Sequence, residues 1–91
     1  MIDGNVHEFL DLLSRGFEVI FVYDNKKYCA QGWLEEGIYE LNVAQWEPWV
    51  DHYIWIKRSA EGYDMNAFKN DKIFDGKSFW EIQEDIQWVD E

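Results

Sequence analysis

The sequence predicts an α+β fold: an N-terminal helix, a three- to four-stranded antiparallel meander, and two C-terminal helices packed on the sheet. Three observations predict it. Val6, Phe9, Leu10 and Leu13 fall at offsets 0, +3, +4 and +7, one face of a helix. From Phe17 to Gln45, runs rich in β-branched and aromatic residues alternate with short polar turns. Near the C-terminal end, Ser78 and Glu81 form a Ser-x-x-Glu start signal ahead of a second helical stripe.

The first helix is bounded by its own chemistry. Asn5 is placed to cap it, with Glu8 as the box partner, and Gly16 stands where a left-handed C-cap belongs, so the helix runs from Val6 to Arg15. The next run, FEVIFVY from Phe17 to Tyr23, is apolar on both faces apart from Glu18, the pattern of a central or doubly covered strand. Asp24-Asn25-Lys26 supplies a turn, because Asp and Asn side chains bond the local backbone. Lys27 to Leu34 returns as a second strand, and Glu35-Glu36-Gly37 turns into a third, Ile38 to Gln45. In that third strand Tyr39, Leu41 and Val43 alternate with Glu40 and Asn42, one buried face and one wet.

WEPW, Trp46 to Trp49, contains the only proline. Pro48 removes an amide donor and biases Glu47 away from helical geometry, so the segment is a corner. HYIWIK, His52 to Lys57, has the composition of a fourth, edge strand, and Ser59 to Gly62 reads as a loop. Asp64 is placed to cap a short helix, MNAFKN, with Met65 and Phe68 inward.

DKIFDGKSFWEIQE holds a Gly-Lys-Ser tripeptide, the tail of a phosphate-binding loop. The full motif requires glycine where this chain has Asp71, together with a preceding buried strand, and Asp71, Asp75 and Glu81 would set negative charge against phosphates. A helix start accounts for every residue instead. Asp75-Gly76 turns, Ser78 caps, Glu81 closes the box, and Phe79, Ile82, Ile86 and Val89 form one inward stripe.

FDGKSFWE followed by DIQWVD resembles the C-terminal signature of small α+β domains of bacterial, chiefly Gram-positive, genomes, a family with no established activity. In it a strand–turn–strand segment like YDNKKYC comes first. The resemblance covers Phe17–Cys29 and Ile73–Asp90 of this chain. It implies a bacterial α+β domain and assigns no functional residue.

Ninety-one residues suit a single domain, residues 1–91. The chain is 47% hydrophobic and 19% aromatic with six Trp, enough to build a dense small core. Its formal net charge is −11, which repels nucleic acid and anionic lipid and favours a neutral or basic partner. Cys29 is the single cysteine, so no internal disulfide forms, and it reads as a buried small hydrophobe. Acids where a signal peptide has its basic region, and no apolar run of ~20 residues, predict a cytoplasmic chain with no membrane span.

The expectation is a domain without enzymatic activity, cofactor or metal. His7, His52 and Cys29 are too scattered for a zinc pattern, and no acid series has calcium-loop spacing. The most suggestive stretch is QWEPWVDHYIW, in which Trp46, Glu47, Trp49, Asp51, Tyr53 and Trp55 cluster around the proline. Trp and Tyr dominate binding hot spots, and acids beside them suit a basic protein. The same aromatics also suit a core. The leading reading is a small acidic protein-binding module of inhibitor or immunity type. Glu35, Glu36, Glu40, Glu47 and Asp51 are expected to gather at one end of the sheet, with Asp85, Asp90 and Glu91 extending the charge. The alternatives are a small-molecule or enzymatic pocket near His52 and Cys29, and a homodimer formed through the aromatic edge strand.

Overall fold

A computed structural model of the chain describes residues 1–89. The order of elements is α1 (Val6–Ser14), β1 (Val19–Tyr23), β2 (Lys26–Glu35), β3 (Ile38–Glu47), β4 (Tyr53–Ser59), α2 (Met65–Asn70), α3 (Phe79–Ile82), a 3₁₀ turn (Gln83–Asp85) and β5 (Gln87–Val89).

Local chemistry sets the ends of α1. The Asn5 side chain accepts from the backbone amides of His7 and Glu8, satisfying two donors that the helix cannot. At the other end Gly16 adopts φ +85°. Its amide donates to Leu13 and that of Phe17 to Leu12, the paired bonds of a Schellman close.

The strands form one antiparallel sheet in the order β4-β3-β2-β1-β5. Hairpins join β1 to β2, β2 to β3 and, through the WEPW corner, β3 to β4. Asp24, Asn25 and Glu36 take positive φ in the first two turns. The chain then leaves the sheet, makes α2 and α3, and returns as β5 beside β1, where Ile2 bridges to Gln87.

β5 corrects the sequence expectation. The sheet has five strands rather than three or four. The last helix ends at Ile82 instead of continuing to Val89, and Ile86 is already extended, at φ −80° and ψ 131°. Two forces decide this. β1 is buried on both faces and would expose a ladder of amides and carbonyls if it stayed an edge. Ile86 and Trp88 alternate inward while Gln87 points out, a period of two that serves a strand.

The helices pack on one face of the sheet. Phe9 and Leu13 from α1, Phe68 from α2, Phe79 and Ile82 from α3, together with Phe74 and Ile86, close over Val19, Phe21, Tyr28, Ala30, Leu41 and Val43. The rings interlock: Phe9 meets Phe21 edge-on and stacks on Phe79, and Phe74 meets Phe21 and Tyr28 edge-on. Tight packing of α1's end on β2 depends on glycine. A Cβ on Gly32 would lie 2.7 Å from the Gly16 Cα and 2.6 Å from a Tyr63 ring carbon.

Candidate functional site

Strand alternation puts a second set of side chains on the opposite face. Ile20, Cys29, Gln31 and Trp33, with Glu40, Asn42, Ala44, Ile56 and Arg58 across the ladders, share it. Among the described residues no helix covers this face, and it leaves large apolar side chains exposed: Trp33, Ile38, Tyr53 and Ile56.

At one end of that face lies the corner. The Glu47–Pro48 peptide is cis. The Gln45 side chain donates to the Pro48 carbonyl at 2.8 Å, and the Val50 amide donates to the Gln45 carbonyl at 3.2 Å, which ties the loop back on β3. The tied loop holds Trp49 out with 72% of its surface exposed. A register shift between Val43 and Ala44 pairs Ala44 with Tyr53, which brings Tyr53 onto the same face as Trp46. The result is a hollow of about 320 Å³ whose walls include Gln31, Ala44, Trp46, Trp49, His52 and Tyr53. Asp51 is exposed on its rim, and its carboxylate lies 3.2 Å from His52 Nδ1. Both partners of that contact are open to water, so it contributes little to stability. Glu47 is exposed too, but it does not line the hollow.

The structure thus brings Trp46, Trp49, Asp51 and Tyr53 around one hollow, whereas Glu47, next to Trp46 in the chain, stays outside its lining. Trp55 goes elsewhere. It pairs with Val43 and turns to the helix side, where its ring meets Phe68 edge-on at 6.0 Å and Nε1 donates to Asp71 at 3.0 Å. The reason is the register shift, which changes the parity of β4 between Tyr53 and Trp55.

The acids also separate. Glu35, Glu36 and Glu40 stand at the β2–β3 turn, whereas Glu47 and Asp51 stand at the far end of β3. Glu40 and Glu47 are seven strand residues apart, about 23 Å at ~3.3 Å each, and Glu35 and Glu36 lie farther still. Asp90 and Glu91, expected to extend the charge, lie outside the described residues. Near the turn a second hollow opens on the same face, about 300 Å³, lined by Trp33, Glu35, Glu36, Ile38, Glu40 and Arg58. Reading the sequence did not single out Trp33, Ile38, Ile56 or Arg58 as site residues. The alternation of β2 carries Trp33, but only the cross-strand register shows that all four share a face with Trp46.

Cys29 and His52 do not form a common pocket. Cys29 is 2% exposed, between Ile20 and Ala44, and the hollow beside His52 does not include it. Burial pushes the Cys29 thiol up to about 12, and the carboxylate of Glu18 adds to the rise. A thiol held so high supplies almost no thiolate at neutral pH.

The Gly-Lys-Ser tripeptide is a helix start. The Glu81 amide donates to the Ser78 hydroxyl at 3.3 Å while the Ser78 amide donates to the Glu81 carboxylate at 3.0 Å, a complete capping box. Lys72 also donates to that carboxylate. These contacts hold the Glu81 carboxyl well below the usual range, at about 2, with Lys72 the largest cause and Ser78 next.

Among the described residues no group of three or more His, Cys, Asp and Glu is placed to hold a metal ion. No helix of the described chain is long and apolar enough to cross a membrane. No family model, curated protein or solved structure matches the chain.

Proposed function

We propose that this chain is a non-enzymatic protein-binding module, of inhibitor or immunity type, that takes a neutral or basic protein at the corner formed by Trp46, Glu47, Trp49, Asp51 and Tyr53. One observation carries the reading: Trp49 is 72% exposed on a loop tied back to β3. An exposed indole on a fixed backbone offers a partner large area with little entropy left to lose. The charge supports the partner's sign. A net −11 and the rim carboxylate of Asp51 attract a basic surface and repel nucleic acid. The bacterial setting implied by the FDGKSFWE resemblance, and the cytoplasmic one expected from the sequence, belong to the same proposal.

The pocket alternative near His52 and Cys29 is the weaker one, because its thiol is buried and held protonated. The test is affinity capture from a bacterial lysate at low and high salt, with the wild-type chain and Trp49→Ala side by side. A basic protein retained by the wild type, released by salt and absent from the variant is the expected result. Identical capture by both chains would overturn the proposal.

A further inference from the structure

The second hollow, at the β2–β3 end of the bare face, has a chemistry that the corner lacks. Trp33 is 52% exposed on one wall. Arg58 donates through Nε to Glu40 at 3.0 Å, and Asn42 donates through Nδ2 to the other oxygen of the same carboxylate at 2.8 Å. Arg58 and Glu40 therefore cancel one another. Glu35 and Glu36 remain, each exposed and, among the described residues, with no hydrogen bond or ion pair to a side chain. Two carboxylates without a cation, beside an open indole face, favour a cationic donor whose flat group can stack on the ring.

We propose that the hollow of Trp33, Glu35, Glu36, Ile38, Glu40 and Arg58 receives one arginine side chain of a basic protein lying across the bare sheet face. The inference rests on the protein-binding reading above and names a second contact of the same partner, at the opposite end of β3 from Trp49.

Arginine fits better than lysine on three counts. Its guanidinium is planar and stacks on an indole, it is more weakly hydrated than an ammonium, and its fork of donors serves more than one carboxylate at once. The source is a protein side chain rather than the free amino acid. A protein brings a backbone that continues over the exposed apolar side chains of the same face, Ile56 and Tyr53 among them, which a single amino acid cannot cover. A second copy of this chain is disfavoured by charge, since it brings its own net −11 to the face.

The test uses the full chain labelled with ¹⁵N and, as probe, arginine blocked at both ends as N-acetyl-arginine amide. The expected result is a saturable shift of the Trp33 indole resonance, with a dissociation constant on the order of 10 mM. Blocked lysine should bind several-fold more weakly. Glu35→Gln should weaken binding at least about threefold with the melting temperature unchanged. Trp33→Ala, followed on the Glu35 and Glu36 amides, should abolish binding while lowering the melting temperature by about 10 °C, since roughly half of the side chain is covered.

No saturable shift at Trp33, or equal binding of blocked lysine and blocked arginine, overturns the proposal. So does sedimentation showing a dimer that Trp33→Ala dissolves, because the face then meets a second copy. The two readings fail differently. If Trp49→Ala loses a captured basic partner while Trp33→Ala and Glu35→Gln keep it, the module stands and the arginine site falls. If blocked arginine shifts Trp33 but no captured partner depends on Trp49, the corner reading falls instead.

Discussion

Trp49 and Trp55 lie six positions apart in an aromatic stretch, yet their truncations should have opposite consequences. About a quarter of Trp49 is covered, so of the ~250 Å² that a tryptophan offers, roughly 70 Å² is removed from water. At ~25 cal/mol per Å², and allowing for a denatured chain that already hides part of it, Trp49→Ala costs about 1 kcal/mol. Trp55 is covered over about two-thirds of its surface or more, and its truncation loses the edge contact with Phe68 and the bond from the indole N–H to the exposed Asp71 carboxylate. The same bookkeeping gives about 3 kcal/mol for Trp55→Ala from area, with roughly 1 kcal/mol more from the lost bond. A domain of this size loses ~4–8 °C of melting temperature per kcal/mol. Thermal unfolding followed by far-ultraviolet circular dichroism should therefore show a drop of about 5 °C for Trp49→Ala and of at least about 15 °C for Trp55→Ala. Equal drops would mean that Trp49 is part of the core and that no exposed indole is held at the corner. An unchanged melting temperature for Trp55→Ala would mean that the register shift in β4 is misplaced, and the assignment of faces with it.

Other outcomes follow from the same structure. Glu81 has a folded pKa near 2 against an ordinary 4.5, so its contribution to stability is present above about 4.5 and is lost as pH falls toward 2. Glu81→Gln should flatten the acid limb of melting temperature against pH in that window, salt should blunt the effect, and Ser78→Ala should cost ~1 kcal/mol at neutral pH; an unchanged acid limb would remove Glu81 from the account. Cys29 should react very slowly with a thiol-exchange reagent in the native protein at neutral pH and fully once denatured, and fast native labelling would contradict its burial. Gly32→Ala should cost ~2 kcal/mol or more, because its Cβ would meet the Gly16 backbone at 2.7 Å, whereas Gly37→Ala meets nothing within 4 Å and should cost only ~1 kcal/mol for its positive φ. Equal losses in denaturant titrations of the two would show that crowding at Gly32 is relieved by movement.

Much of the fold was legible because it is written locally. Asn5, Gly16, Asp64 and Ser78 announce helix ends through groups that act within three residues, and each behaves as its chemistry requires. β5 was hidden because Phe79, Ile82, Ile86 and Val89 satisfy a helical spacing by coincidence of period. The counter-signal was present in FEVIFVY. A strand buried on both faces is expected to have neighbours on both sides, and the meander alone supplies only one. The corner aromatics were legible as a group, but their division was not. A one-residue irregularity between Val43 and Ala44 decides whether Tyr53 or Trp55 faces the helices, and nothing in HYIWIK marks it. The hollow around Trp33 was illegible for a related reason, since Trp33, Glu40 and Arg58 come from three strands and meet only through register.

The layered architecture makes the bare face the place to look for function. Five strands and three short helices bury one side of the sheet thoroughly, with Phe9, Phe21, Phe68 and Phe79 fully covered. On the other side the chain leaves Trp33, Ile38, Tyr53 and Ile56 in water and sets carboxylates around them. Such a surface is apolar enough to associate and too acidic to associate with itself cheaply. These two properties predict opposite responses to salt for the two possible occupants. Contact between two copies presses like charges together and strengthens as salt screens them, whereas contact with a basic protein weakens. The sign of the salt dependence therefore separates a self-interface from a docking face for a basic partner, before that partner is known.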